Sequence, residues 1–338
     1  MSPKAFHVED MALENFQVKN FVEKSINPRP IRTVLGDFPY TSLHIVDAHT
    51  HTWIDPVDGA GLTSPILNQY DTICQELKRF RSSGGDSLLD SQPGGCGRNA
   101  NRMIQLSEES GVNIIACTGF HLAKYYAPDH WLFSASHEDA SEYFIKELTS
   151  AMDETDQKSR KAVAGFIKIA LEDDWDAVPK NALLGAVTAA HETGALVEVH
   201  TEKGALAEKV VAFFDENGVI LNQLVVCHID KRADFALHSM LAHSGVLLEY
   251  DTFYRPKYKP EENLWPLILK MVENGLDDHI ALATDMAEIS MYRTKSNGPG
   301  MEAFASEIKG RLESIGCSDV SIRRMLGENI ARRLAGLV

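Results

Sequence analysis

Six residues of this sequence have the types and spacing of metal ligands: His49, His51, Lys168, His200, His228 and Asp285. In VDAHTHT, 46–52, the two histidines stand two apart. On a strand, residues i and i+2 point to one face, so both imidazoles can reach a single cation. Asp285 ends another apolar run, ALATD, and offers a hard oxygen to the same ion. His200 in VEVHT and His228 in VVCHID supply nitrogens for a second ion. Between the two groups in chain order lies Lys168, in AVAGFIKIAL. A charged lysine in so apolar a run is costly unless paired. One reading is a buried ammonium facing a carboxylate. The other is an amine whose pKa burial has lowered from its usual value of about 10.4. Such an amine can add carbon dioxide and become a carbamate, whose two oxygens suit a bridge between ions about 3.5–4 Å apart. Four histidines and Asp285 arranged around it favour the carbamate. The constellation predicts two divalent ions, zinc first, with manganese, cobalt or iron open to the same ligands.

These residues are far apart in sequence, so a fold must gather them. Short β-branched runs recur at 44–49, 87–90, 113–118, 162–170, 195–200, 223–228, 245–251 and 279–285. They lack polar alternation, as parallel strands buried on both faces do. The stretches between them carry helix signals. Residues 179–194 start with Pro and stop at Gly, and 261–275 follow the same pattern with Pro266 in the first turn or at a kink. Eight strands alternating with helices predict an α/β fold, a (β/α)8 TIM barrel. An open doubly wound sheet would want a glycine-rich nucleotide loop after its first strand, and that run is followed by none. Nearly every strand ends on a polar or ionisable residue: His49, Asp90, Thr118, Lys168, His200, His228, Asp251, Asp285. Barrel active sites are assembled from those C-terminal ends.

Composition sets the outer bounds. With 44% hydrophobic and 24% charged residues in 338, the chain can bury a large core without staples. Residues 31–338 hold the barrel, and 1–30 are expected to be an extension packed on it. A formal charge of −15 disfavours a nucleic-acid partner, which would need clustered Lys and Arg. No apolar run is long enough to cross a membrane, and MSPKAFHVEDMALENF carries charges where a signal peptide would be apolar. Five scattered cysteines form no CxxC pair, which predicts a reducing, cytoplasmic setting. Homo-oligomerisation is left open.

The order HTH, strand-4 Lys, strand-5 His, strand-6 His and strand-8 Asp resembles the phosphotriesterase-like branch of the amidohydrolase superfamily. The resemblance extends to RTVLG, GFIKIAL, VEVHTEKGA, CHIDKRADF, LLEYDTF, GLDDHIALATDM and GENIARRLA, and spans nearly all of 31–338. It implies that His49, His51 and Asp285 hold the more buried ion and His200 and His228 the outer one, with carboxylated Lys168 on both. It also implies a hydroxide between the ions attacking a carbonyl or phosphoryl centre, with Asp285 taking its proton and passing it to the leaving group. Two departures stand out. Thr50 lies between the first two histidines where relatives commonly have Glu. Thr252 follows Asp251 where organophosphate-cleaving members have His, which weakens a triester reading.

DSQPGGCGRNANRM, 90–103, and CTGFHLAKYYAPDHW, 117–131, look most like the branch that opens sugar lactones, phosphorylated ones included. Arg98 brings a fork for carboxylate or phosphate, or a salt bridge within the loops. His121 is placed to touch a carbonyl or a ring hydroxyl, or to pack. In loops 7 and 8, Lys257, Tyr292 and Arg293 are either solvated or an anion clamp. The expected activity is hydrolysis of a polar sugar lactone as small-molecule substrate. Amide or deaminating hydrolysis and promiscuous phosphotriester cleavage are the alternatives, with a non-catalytic binding barrel more remote.

Overall fold

The computed structural model describes residues 28–337. A short antiparallel hairpin, β1 (Ile31–Thr33) and β2 (Gly36–Phe38), precedes eight strands: β3 (Val46–Thr50), β4 (Ser87–Asp90), β5 (Asn113–Gly119), β6 (Phe166–Leu171), β7 (Leu196–Thr201), β8 (Leu224–Cys227), β9 (Leu247–Tyr250) and β10 (Ile280–Leu282). Each pairs in parallel with the next in chain order, from β3 to β10. The seam between β10 and β3 closes just past the last ladder. There the Asp285 N–H donates to the His49 carbonyl at 2.8 Å, and the His51 N–H to that of Met286 at 3.2 Å. Below them the Asp47 carboxylate accepts from the Thr284 N–H (3.0 Å) and hydroxyl (2.6 Å). The (β/α)8 barrel predicted from the strand–helix alternation is the fold of this chain.

Seven helices follow the first seven barrel strands: α1 (Tyr70–Ser82), α2 (Ala100–Ser110), α3 (His137–Thr149), α4 (Lys180–Thr193), α5 (Ala207–Glu216), α6 (Phe235–His243) and α7 (Leu264–Glu273). α4 begins and ends at its predicted signals, with Pro179 before it and Gly194 capping it at φ 67. Glycine adopts that left-handed conformation without the steric cost of a Cβ. α7 starts three residues later than predicted, which places Pro266 in its first turn, where a missing N–H costs nothing.

The barrel interior is layered by the period-2 alternation of its strands. Phe166, Leu196, Val225, Leu247 and Ala281 pack the floor, closed from beneath by Ile31, Leu43 and the C-terminal residues Ile330 and Leu334. One inward step higher, the strands present Lys168, Glu198, Cys227 and Glu249, all fully buried. His200 and Asp251 come one step above that, at the rim. Several predicted strands are longer than observed, 162–170 and 279–285 by the most. Residues 162–165 precede β6 as coil, with Gly165 so close to Arg32 that a Cβ would sit 2.7 Å from its carbonyl oxygen. Residues 283–285 lie beyond β10, because Asp285 turns into the left-handed region. The expected extension at 1–30 falls outside the described residues except for 28–30, where the Arg29 guanidinium donates to the carbonyls of Thr193 (2.7 Å) and Gly194 (2.5 Å). All five cysteines are free and buried. Among the described residues no helix is long and apolar enough to cross a membrane.

Candidate metal centre

The six ligand-type residues converge toward the C-terminal end of the barrel, with Lys168 one step below the rim. One ligand atom each from His49, His51 and Asp285 lies within 4.8 Å of the others. Asp285 Oδ1 is 3.7 Å from His49 Nε2 and 3.8 Å from His51 Nε2. Across the axis, His228 Nε2 lies 2.8 Å from His200 Nδ1. Lys168 Nζ lies 3.2 Å from His49 Nε2. The rings of His49 and His228 are 4.7 Å apart, centroid to centroid.

Two of these residues pay a backbone cost to be there. His228 has φ 62 and Asp285 φ 46, both left-handed and neither a glycine. Such a conformation costs of order 1–3 kcal/mol and persists only where neighbours over-determine it. Here the His228 N–H donates to Glu249 Oε2 at 2.9 Å, and the Asp285 N–H is held in the seam. The turn takes each residue out of its strand at the rim of the barrel. In β3 the register shifts between Asp47 and Thr50, which lets His49 reach the interior although Ala48 also faces it.

The electrostatics suit cations. Burial pushes the imidazoles down, His51 to about 3 and His200 to about 4, with His228 well below its ordinary value. Neutral imidazoles are the form that ligates metal. Burial alone would raise the Asp285 carboxyl, but His228 and Arg255 outweigh it and hold the group well below the carboxylate range. Burial likewise works to lower the Lys168 amine, but Glu198, 3.8 Å away, and the neighbouring thiols outweigh it and raise the group. The carboxylate partner of the paired-lysine reading is therefore present. Glu198 itself is held down at about 2 by Lys168 and His49 against the effect of burial. The donor set fits divalent ions: buried imidazole nitrogens face one another around an ionised carboxylate.

A cavity of about 410 Å³ opens above the ligands, lined by His49, His51, His200 and Asp285 at its base. One wall is the β3–α1 connection, residues 54–66, whose ends are tied by paired backbone bonds between Ile54 and Leu67 of 2.8 and 2.9 Å. Asp90 fixes the start of that loop by accepting from the Thr52 N–H at 2.7 Å. Of the five residues expected to bind substrate, only His121 lines the cavity. Its Nδ1 accepts from the Leu122 N–H at 2.7 Å, which puts the ring proton on Nε2 and makes that nitrogen a donor.

The other four are placed elsewhere. The Arg98 guanidinium is buried and spent on Glu147, on Glu154 at 2.8 Å and on the Cys117 carbonyl at 2.7 Å. Lys257 is exposed beside Tyr258. Tyr292 is buried, its hydroxyl directed at the His51 carbonyl at 3.4 Å. Arg293 pairs with Glu302 at 3.0 Å and Glu307 at 3.4 Å. The guanidinium that does line the cavity is that of Arg255, which donates to Asp285 Oδ2 at 2.7 Å and to the Asp285 carbonyl at 2.6 Å. Sequence reasoning missed it, as it missed Glu198 and Glu249. The two glutamates carried a signal: each stands two residues before a rim residue, His200 or Asp251, and so shares its inward face.

The sequence model of the phosphotriesterase family matches residues 31–334. The chain is 29% identical over 324 residues to a phospho-furanose lactonase of Mycoplasmopsis synoviae, covering 90% of this chain and 91% of that protein. It is 25% identical over 314 residues to an N-acetyltaurine hydrolase of Danio rerio, covering 88% and 87%. The crystal structure of a lactonase from Listeria monocytogenes superposes with a TM-score of 0.81 over 90% of this chain and 98% of that one. At 22% identity it speaks for the fold alone.

Proposed function

The chain belongs to the phosphotriesterase family and is a hydrolase, and from that premise we propose that it opens the ring of a polar lactone at a two-ion centre. The observation that carries this reading is the gathering of His49, His51, His200 and Asp285 at the base of one cavity, with Lys168 and His228 buried against them. His49, His51 and Asp285 would hold one ion and His200 and His228 the other, with Lys168 between. When bound, the ions supply Lewis acidity toward the scissile carbonyl and make water acidic enough to lose a proton near neutral pH. Positive charge beside Lys168 opposes its ammonium form and so favours the amine that carbamate formation needs.

The remaining work falls to side chains. Asp285, ionised and oriented by Arg255, takes the proton from water and returns it to the ring oxygen as the C–O bond breaks. His121, with its proton on Nε2, is the donor available to a ring hydroxyl or the carbonyl. The wall at 54–66 contributes the buried Ile54 and half-buried Val57 as apolar lining, whereas Leu62 and Ile66 on the same wall are exposed to solvent. Of the cations expected from the sequence to grip a phosphate, none lines this cavity, and Arg255, the guanidinium that does, is engaged by Asp285.

Amide hydrolysis is the second reading, favoured by the resemblance to an N-acetyltaurine hydrolase. A metal-loaded preparation should carry close to two ions per chain and release acid from sugar lactones, followed with a pH indicator. The rate should exceed those on N-acyl amino acids and on phosphotriesters. Faster cleavage of the amides would replace the lactonase reading, and inertness toward all three with both ions bound would leave a binding barrel.

A further inference from the structure

Beneath the ligands lies a charge that the hydrolytic reading does not use. Glu198 projects from β7 into the barrel interior between Leu196 in the floor and His200 at the rim, and it is fully buried. Its Oε1 is 2.7 Å from His49 Nδ1 and accepts from the Cys227 thiol at 3.2 Å. Its Oε2 accepts from the Ser91 hydroxyl at 2.9 Å and lies 3.8 Å from Lys168 Nζ. One carboxylate thus spans two ligand-type residues from two different strands. A buried carboxylate is a poor way to stabilise a core, since well-packed apolar residues usually do as well or better. The second glutamate of this layer does not duplicate it. Glu249 stands 3.9 Å from His49 Nδ1 and is engaged by the His228 N–H.

The geometry points to Glu198 as a positioning residue of the metal centre, and we infer that it selects the His49 tautomer with the proton on Nδ1. That leaves the Nε2 lone pair facing Asp285 and Lys168. Imidazole ligands whose other nitrogen donates to a carboxylate are held in one orientation and are more basic, and loss of such a partner typically lowers metal affinity about 10- to 100-fold. The contact to Lys168 Nζ holds that side chain at the same height in the barrel, beside the His49 ring. This inference rests on the metal reading above only for its affinity test.

Two measurements decide it. Zinc affinities are taken by competition with a chromophoric chelator for wild type, Glu198→Gln and Glu198→Leu. The amide oxygen of Gln can still accept from Nδ1, whereas Leu cannot. Glu198→Leu should weaken one of the two ions by about 10- to 100-fold and spare the other, with Glu198→Gln in between. Wild-type affinity at both sites in both variants would overturn the inference, even if their melting temperatures fall. The second measurement needs no variant: nitrogen chemical shifts of 15N-histidine-labelled wild type, with His49 assigned by its absence in His49→Gln, should place the His49 proton on Nδ1. A proton on Nε2 would overturn the inference. A wild-type protein that binds no ion would refute the metal reading, and the tautomer would still decide this one.

Discussion

Replacing Arg98 by Met should destabilise the barrel and leave substrate affinity alone. Its guanidinium, with a side chain excluded from solvent, is shared by Glu147, equally buried, and Glu154, about a quarter exposed. Removing the cation strands the Glu147 carboxylate in the loop layer, and breaking a buried pair in this way costs about 3–5 kcal/mol. Unfolding entropy near 2.1 cal/mol/K per residue over 338 residues gives about 0.7 kcal/mol/K, so the melting temperature should fall by about 4–7 °C. The double variant Arg98→Met/Glu147→Gln carries a neutral amide in place of the stranded charge and should recover at least half of that loss. Thermal unfolding by circular dichroism supplies the first number, and lactone kinetics the second. KM should stay within about twofold of wild type, because Arg98 does not line the cavity. A tenfold rise in KM with an unmoved melting temperature would refute the reasoning and return Arg98 to the substrate.

Arg255→Ala should lower kcat by about 10- to 100-fold, the equivalent of one charge-assisted hydrogen bond to Asp285. Arg255→Lys should recover only part, since one ammonium cannot reproduce the planar fork, and an unchanged kcat would remove Arg255 from the mechanism. Lys168→Ala should abolish activity, and short carboxylic acids added at millimolar levels should partly restore it; failure of rescue together with full metal occupancy would argue against a bridging carbamate. In metal-stripped protein, His51 and His200 stay neutral when folded but take a proton below about pH 6.5 when unfolded. The folded pKa is the lower one, so their contribution is present above pH 6.5 and is lost as pH falls toward 4. Urea titrations between about pH 4.5 and 6 should show a slope smaller by about 1.4 kcal/mol per pH unit in His200→Asn than in wild type.

The ligands were legible because each ends or closely follows an apolar run, and a parallel barrel turns strand ends into a ring. HTH at period 2 and a lysine amid apolar neighbours needed no knowledge of packing. Arg98 was not legible in the same way: its partners are 49 and 56 positions away, so sequence could not tell a spent guanidinium from a free one. Lys257 and Arg255 flank one proline, and the short turn Pro256–Tyr258 leaves Lys257 in solvent while Arg255 faces Asp285. Glu198 was passed over, since its meaning lies in a histidine on the first barrel strand. The strand limits at His228 and Asp285 were overdrawn because left-handed turns at non-glycine residues leave no mark in composition.

The wall of the cavity has a different standing from its base. Residues 54–66 leave and re-enter the barrel at a pair of backbone bonds between Ile54 and Leu67, with Asp90 anchoring the approach and the N–H groups of Asp55 and Gly61 donating to the carbonyls of Gly97 and Lys124. Apart from His49 and His51 just before it, no ligand-type residue is borne on this segment. It is a cassette whose two cut points are already joined. A library confined to that stretch would therefore explore new specificities while leaving every one of the six ligand-type residues unchanged.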